Sequence, residues 1–140
     1  MKPRIDVSFD RAVAGFSAGR VRNVIGAVLK KEKAVKDRLG VRITDDRVIR
    51  RINKKFLDHD WATDVISFGF DEPDFLGDVA VSAETARRMA RELKIPFAQE
   101  LARYLVHGAL HLLGYDDKAP AKRKKMHRRQ EAILKELGLI

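Results

Sequence analysis

Apolar residues recur along the chain with two different periods, and the alternation of these periods predicts a mixed α/β fold. Ile5, Val7 and Phe9 alternate with polar residues, as in a half-buried strand. After Ser17, which is suited to cap a first turn, apolar residues instead recur three and four apart, the spacing of one helix face. These apolar residues are Val21, Val24, Ile25, Val28 and Leu29.

The two periods continue to alternate through the middle of the chain. A second strand is predicted around residues 41–43, and Asp45 or Asp46 can cap the helix that follows. We expect this helix to turn four apolar side chains inward, those of Val48, Ile49, Ile52 and Phe56. Residues 64–69 and 76–82 are strand-like on either side of a connection rich in Asp, Glu and Pro, which predicts a hairpin.

Three helices are predicted for the remainder of the chain. The helix after Ser82 must end near Pro96, a histidine-bearing helix comes next, and the last helix runs from about Pro120 to Leu137. The predicted order is therefore β-α-β-α-β-β-α-α-α. This order indicates one domain, residues 1–140, built as an α/β sandwich of a mixed four-stranded sheet with about five helices packed on it.

Composition excludes several classes of protein. The chain has no cysteine, so disulfides and cysteine-based zinc sites are excluded. Its first residues lack the apolar core of a signal peptide, and no stretch approaches the roughly 18 uninterrupted apolar residues of a membrane span. We therefore expect a cytoplasmic protein without a membrane partner.

Residues 107–117 read His-Gly-Ala-Leu-His-Leu-Leu-Gly-Tyr-Asp-Asp and indicate a metal site. On a helix, His107 and His111 lie one turn apart on the same face, with Cβ atoms roughly 6 Å from each other. Gly114 can end the helix and turn the chain so that Asp117 or Asp116 approaches the same ion. Two imidazoles and one carboxylate leave one position of a tetrahedral zinc open, as in catalytic sites.

Alternatives to this ligand set remain. His127, within the last predicted helix, is another candidate for the third ligand. Two packed histidines without a metal are also conceivable, although buried imidazoles need polar partners. Gly108 costs about 1 kcal/mol relative to alanine inside a helix. Its presence predicts a close approach of substrate or another backbone at this turn.

The string His-Gly-x-Leu-His-Leu-x-Gly-Tyr-Asp resembles the signature of the YbeY family, the metal-dependent endoribonucleases and ribosomal RNA maturation factors of bacteria. The resemblance covers at least residues 48–117, with the same order and approximate spacing of polar residues, and implies the same α/β fold. The matching residues before the histidines include Asn53, Thr63, Asp64, Ser67, Gly77, Asp78 and Glu100.

Two positions depart from the family pattern. The family usually has a third histidine where this chain has Asp117, and an arginine thought to handle substrate where it has Leu57. Aspartate is an ordinary zinc ligand at about 2.0–2.2 Å, so the first change alters the site without abolishing it. Nearby candidates to replace the arginine at the phosphate are Arg51, Lys54, Lys55 and His59.

Charge favours a nucleic acid as the partner. The net charge is +9 and the isoelectric point is about 10.0. A run of like charges is often only a solvated helix face, but several runs beside a candidate hydrolytic site favour RNA. Few aromatic residues are interleaved with the charges, so phosphate contact is expected more than base stacking. The strongest run contains Lys122, Arg123, Lys124 and Lys125.

The resulting hypothesis is a zinc-dependent endoribonuclease that acts on single-stranded RNA in ribosomal RNA processing and ribosome maturation. One Zn2+ per chain, or another divalent transition metal, held by His107, His111 and Asp117, would lower the pKa of its water and polarise a phosphoryl oxygen. The expected partner is ribosomal RNA of the small subunit. Glu100, on the same helix face as His107, is expected to orient a ligand histidine or act as a base, with a surface ion pair as its alternative.

Two other functions fit parts of the pattern. A small metalloprotease-like hydrolase is disfavoured, because zinc proteases carry their general base, a glutamate, where this chain has Gly108. A non-catalytic ribosome-binding or RNA-binding factor is favoured by the two departures at Leu57 and Asp117.

Overall fold

A computed structural model describes residues 3–140 of the protein. Within them, the element order and the mixed sheet that the sequence predicts are confirmed. The strands are β1 (Arg4–Phe9), β2 (Arg38–Thr44), β3 (Val65–Gly69) and β4 (Phe75–Ser82). The helices are α1 (Ala18–Lys31), α2 (Asp46–Leu57), α3 (Ala83–Leu93), α4 (Phe97–Leu112) and α5 (Pro120–Glu136). None of these helices is both long and apolar enough to cross a lipid bilayer.

The four strands form one sheet in the order β1-β2-β4-β3. The pairs β1–β2 and β2–β4 are parallel, whereas β3 and β4 form the predicted antiparallel hairpin. One face of the sheet meets α1 and α4, and alternate residues of the central strands are buried there, among them Val41 and Val79. Each such side chain contributes roughly 1.5–3 kcal/mol when fully buried, so this layer stabilises most of the fold.

The opposite face of the sheet is covered only in part. Ile49 of α2 packs with Ile66 and Ala80, over β3 and β4. The rest of this face is an open groove of about 710 Å³. The prediction that Phe56 turns inward is wrong, because α2 ends over the groove, where Phe56 stays 60% exposed and packs edge-on against the Phe68 ring.

Side-chain caps fix where the first two helices begin. Ser17 accepts a hydrogen bond from the backbone of Arg20, as predicted. Asp45, and not Asp46, caps α2. The Asp46 carboxylate instead joins α2 to the next helix. Burial alone would raise its pKa, but hydrogen bonds from Ser82, Thr85 and Arg88 outweigh that effect and lower the pKa.

Candidate functional site

Helix α4 lies unusually close to the sheet at Gly108. A Cβ atom there would stand 2.6 Å from Val79 Cγ1 and 3.0 Å from Val65 Cγ2. Ser67 also donates a hydrogen bond from its hydroxyl to the Gly108 carbonyl at 3.0 Å. A close approach therefore exists, but side chains of the sheet make it and not another backbone. This packing sets the distance between β3 and the turn of α4 that carries His107.

Replacing Gly108 by alanine is expected to destabilise the protein by about 1–2 kcal/mol. The overpacked methyl group costs roughly 1–3 kcal/mol, which the better helix propensity of alanine offsets only in part. Gly26→Ala is the matched control, because that glycine also lies inside a helix and a Cβ there meets nothing within 4 Å. Urea unfolding should show Gly26→Ala to be slightly stabilising; equal stability of the two variants would contradict the packing argument.

The two histidines at the end of α4 both leave their Nε2 atom available for further contacts. Their ring centroids are 6.2 Å apart. His107 Nδ1 lies 2.9 Å from Gln130 Oε1, and His111 Nδ1 lies 2.7 Å from the carbonyl oxygen of Tyr115. Both partners are acceptors, so each neutral ring carries its proton on Nδ1 and leaves the Nε2 lone pair available. Metal-ligating histidines in proteins have this arrangement.

The Asp117 carboxylate lies beside the same nitrogen of His107. Its Oδ2 atom is 3.5 Å from His107 Nε2, too long for a good hydrogen bond. Two tetrahedral zinc ligands at about 2.0–2.1 Å from the ion are roughly 3.3–3.4 Å apart, so the separation suits a shared ion. The side chains of residues 3–140 form no closed cluster of three His, Asp or Glu ligands. The fit therefore rests on donor chemistry and on this separation.

The other two candidates for a third ligand have different surroundings. Asp116 accepts a hydrogen bond from the backbone of Lys118 at 2.8 Å, and this bond lowers the pKa of its carboxyl group. His127 is exposed on α5. Within the described chain, neither forms a hydrogen bond or an ion pair with His107 or His111. Asp117 thus stays the preferred third ligand.

Glu100 reaches His107 only through other side chains. It is 5% exposed and accepts a hydrogen bond from Arg103 at 2.6 Å. Arg103 also pairs with Glu131 of α5, which accepts a hydrogen bond from Gln130, and Gln130 faces His107. The ion pair expected as its alternative is present and partly buried, so Glu100 stays a candidate that can orient His107 through Arg103, Glu131 and Gln130.

A second network holds the turn that carries Asp117. Gly114 has a φ of 100°, so the predicted left-handed turn follows α4. The Tyr115 hydroxyl donates to Glu32 at the end of α1, and this hydrogen bond raises the pKa of Tyr115. Glu32 is also paired with Arg129. The turn is therefore tied to α1 and α5 as well as to His111.

The first turns of α5 bring positive charge to the same place. Arg123 donates to the carbonyl oxygen of Asp117 at 3.1 Å. Lys122 Nζ is 3.9 Å from the Asp116 carboxylate, and Lys125 Nζ is 5.9 Å from the centre of the Tyr115 ring. Lys124 is exposed between them. The predicted basic run thus flanks the candidate metal ligands.

The end of α2 carries the second group of predicted RNA contacts. Arg51, Lys54 and Lys55 are exposed, and Leu57, where the family usually has arginine, is 46% exposed. His59 lies in the loop after α2. Asn53 is 2% exposed and donates to a backbone carbonyl of that loop, so it acts as an anchor.

The remaining residues of the family pattern make local contacts. Thr63 donates to the Asp64 carboxylate, which also accepts from the backbone of Val65 and starts β3. Ser67 fastens β3 to α4. Asp78 lies in the open groove on the other face of the sheet, where burial raises the pKa of its carboxyl group. Turn, capping and packing roles account for the contacts of Thr63, Asp64 and Ser67.

Sequence reasoning missed the residues that contact the side chains of the candidate metal ligands. Gln130 has the clearest signal, because it is a polar residue on the buried face of α5, in helical register with Met126 and Ile133. A buried polar side chain at such a position needs a hydrogen-bond partner. No signal in the sequence identified that partner, since His107 and Gln130 are 23 residues apart.

Comparison with known proteins identifies the family of the chain. A family model described as Endoribonuclease YbeY matches residues 11–138. The "Endoribonuclease YbeY" of Salinibacter ruber is 35% identical over 140 residues, 93% of this chain and 89% of the relative. That of Myxococcus xanthus is 43% identical over 109 residues, 73% of this chain but only 37% of the longer relative.

The fold recurs in a solved structure. The solution structure of TM1509 from Thermotoga maritima superposes with a TM-score of 0.66 and 25% sequence identity. The match covers 95% of this chain and 91% of the other. From the extent of the family match and the identity to full-length relatives, this chain belongs to the endoribonuclease YbeY family.

Proposed function

We propose that this protein is a zinc-dependent endoribonuclease that cleaves single-stranded RNA during ribosomal RNA processing and ribosome maturation. Membership of the endoribonuclease YbeY family supports the reaction class. The proposed partner is ribosomal RNA of the small subunit. A cytoplasmic location follows from that substrate and not from a feature of the fold.

One observation carries the proposal. Asp117 stands 3.5 Å from the available nitrogen of His107, while Gln130 and Tyr115 occupy the other nitrogens of His107 and His111. These three side chains would hold one Zn2+ per chain and leave a position open. In such a site zinc supplies a Lewis acid for a phosphoryl oxygen and lowers the pKa of a water molecule towards neutrality.

The chain itself contributes charge and rigidity. Lys122, Arg123 and Lys125 lie against the turn that carries the candidate ligands, where they would attract the phosphates of an RNA strand. The partly buried ion pairs of Arg103 hold Glu131, which accepts a hydrogen bond from Gln130 and so helps to keep Gln130 and His107 in one orientation. A ligand held in this way loses little conformational entropy when it binds.

The packing of α4 disfavours the protease alternative. Zinc proteases place a glutamate directly after the first histidine. The corresponding position here is Gly108, where a Cβ atom alone would already crowd Val79 and Val65. A general base at this position would have to occupy the interior of the sheet layer, away from the open nitrogen of His107.

The salt dependence of RNA binding tests the electrostatic part of the proposal. We expect the affinity for a single-stranded RNA to fall linearly with salt on a log–log plot, with a slope of about −0.7 per contacted phosphate. The Lys122→Gln, Lys125→Gln double variant should lose affinity at low salt and have a shallower slope. The decisive measurement is fluorescence anisotropy with a labelled oligonucleotide at several salt concentrations.

A charge-matched control separates local contacts from net charge. Arg91→Gln, Lys94→Gln removes the same charge from exposed positions at the end of α3. Its slope should equal that of the wild type. Equal losses in both double variants would show that only overall charge matters, which would count against an RNA path beside α5.

A further inference from the structure

The loop between α2 and β3 displays a stacked pair of aromatic rings that the proposed mechanism does not use. The rings of His59 and Trp61 are nearly parallel, with centroids 4.4 Å apart and an interplanar angle of 11°. Trp61 is nevertheless 56% exposed. Neither ring belongs to the clusters of buried apolar residues. Core packing therefore does not explain an exposed tryptophan here.

The backbone around the pair is held in place. The buried Asn53 side chain donates to the Trp61 carbonyl at 2.9 Å, and the Asn53 carbonyl accepts from the His59 backbone at 3.2 Å. Asp60, which lies between His59 and Trp61 in the sequence, forms an ion pair with Arg50 at 2.9 Å. These contacts fasten the loop to α2 at three successive residues, so the ring pair is preorganised for binding.

The pair comes shortly before the strand residue that borders α4 beside His107. Val65, whose side chain borders α4 at Gly108, follows Trp61 by four residues. Four residues of extended chain span at most about 14 Å. His107 is the neighbour of Gly108 in α4. An RNA strand at His107 could therefore also reach Trp61.

The charge around the pair favours a nucleic acid over an apolar protein segment. Residues 50–61 carry four basic and two acidic side chains, and one acidic group, Asp60, is already paired. Lys54 and Lys55 are exposed one turn before the loop. Aromatic rings beside unpaired positive charge are typical of surfaces that bind single-stranded nucleic acid.

We propose that Trp61, backed by His59, is a base-stacking subsite for single-stranded RNA, which the substrate occupies while its phosphates contact basic side chains. The inference rests on the proposed function and deepens it, because stacking would add affinity without selecting a particular base. It also adds to the expectation from composition, in which phosphate contact is expected more than base stacking. Trp61 is a binding residue in this account and takes no part in catalysis.

Intrinsic fluorescence gives a direct test, because Trp61 is the one tryptophan of the chain. The wild-type protein is titrated with a short oligoadenylate, checked to be intact afterwards, and with an abasic ribose-phosphate oligomer of the same length. We expect the RNA to quench the tryptophan emission and the abasic oligomer to bind more weakly without quenching. Equal quenching by both ligands would overturn the proposal.

Substitution at Trp61 tests its contribution to affinity. Trp61→Ala should weaken oligoadenylate binding about 5- to 150-fold, the range for loss of one stacked base, and leave the salt slope unchanged. Trp61→Phe should restore part of the affinity, because it keeps an aromatic face. The control is Leu93→Ala, which shortens a similarly exposed apolar side chain, 54% exposed, at the end of α3.

The possible failures are distinguishable. If the wild type binds and cleaves RNA but Trp61→Ala binds it equally well, the stacking subsite is refuted and the proposed function stands. If the wild type binds no RNA at any salt concentration, both the subsite and the proposed function are refuted.

Discussion

A protein in which His107 and His111 are both replaced by alanine is expected to cleave RNA roughly a thousandfold more slowly than the wild type, since metal catalysis supplies several kcal/mol of transition-state stabilisation. The two rings offer the available Nε2 atoms of the candidate site, and Asp117 alone cannot hold zinc. Elemental analysis should find about one zinc per chain in the wild type and none in the variant.

The fold should survive this change. His111 is exposed and His107 is half-buried, and each ring makes one hydrogen bond, to Tyr115 and to Gln130. Losing both bonds costs about 1–3 kcal/mol. His127→Ala is the matched control, because it removes an exposed histidine of α5 near the same basic run. Full metal content in the double variant, or equal loss of activity in the control, would contradict the assignment of the ligands.

Gly77→Ala is expected to be the most destabilising glycine-to-alanine substitution in the sheet, at about 3–5 kcal/mol. Gly77 in β4 has a φ of 146°, a conformation that alanine adopts only with strain. A Cβ atom there would stand 2.0 Å from the carbonyl oxygen of Phe68 in β3. Because that atom belongs to the backbone, the two strands would have to separate.

Gly69→Ala provides the control within the same pair of strands. Gly69 lies opposite Gly77 in the hairpin, but a Cβ atom there would make only an ordinary contact, 4.0 Å from the Leu76 carbonyl. Urea unfolding should therefore show a large drop in the free energy of unfolding for Gly77→Ala and a small change for Gly69→Ala. Similar losses at both positions would refute the steric argument.

The sequence predicts the element order well because strand and helix periods are local properties. Alternation in residues 5–9 and helical spacing after Ser17 depend only on neighbouring residues, and the structure has β1 and α1 there. The exposure of Phe56 could not be predicted from such local spacing. Its place on the apolar face of α2 is local, but the part of the sheet that α2 covers is a tertiary property.

In the candidate site, too, the sequence predicts only local features. The spacing of His107 and His111 and the turn at Gly114 are local, so the sequence could indicate two candidate ligands and the direction of a third. The surroundings of Glu100 could not be predicted in this way. Helical spacing correctly puts it on the face of His107, but only the packing of α5 brings Glu131 and Gln130 between them.

Nuclease and protease assays before and after metal removal test the central claim most directly. The protein is incubated with a single-stranded fragment of small-subunit ribosomal RNA and, separately, with casein, as isolated, after chelation and after addition of zinc. We predict cleavage of the RNA only, loss of that cleavage on chelation, and recovery with zinc in the wild type but not in the double histidine variant. RNA left intact by the zinc-loaded protein, undiminished cleavage by protein verified to be metal-free, or digestion of casein would contradict the account.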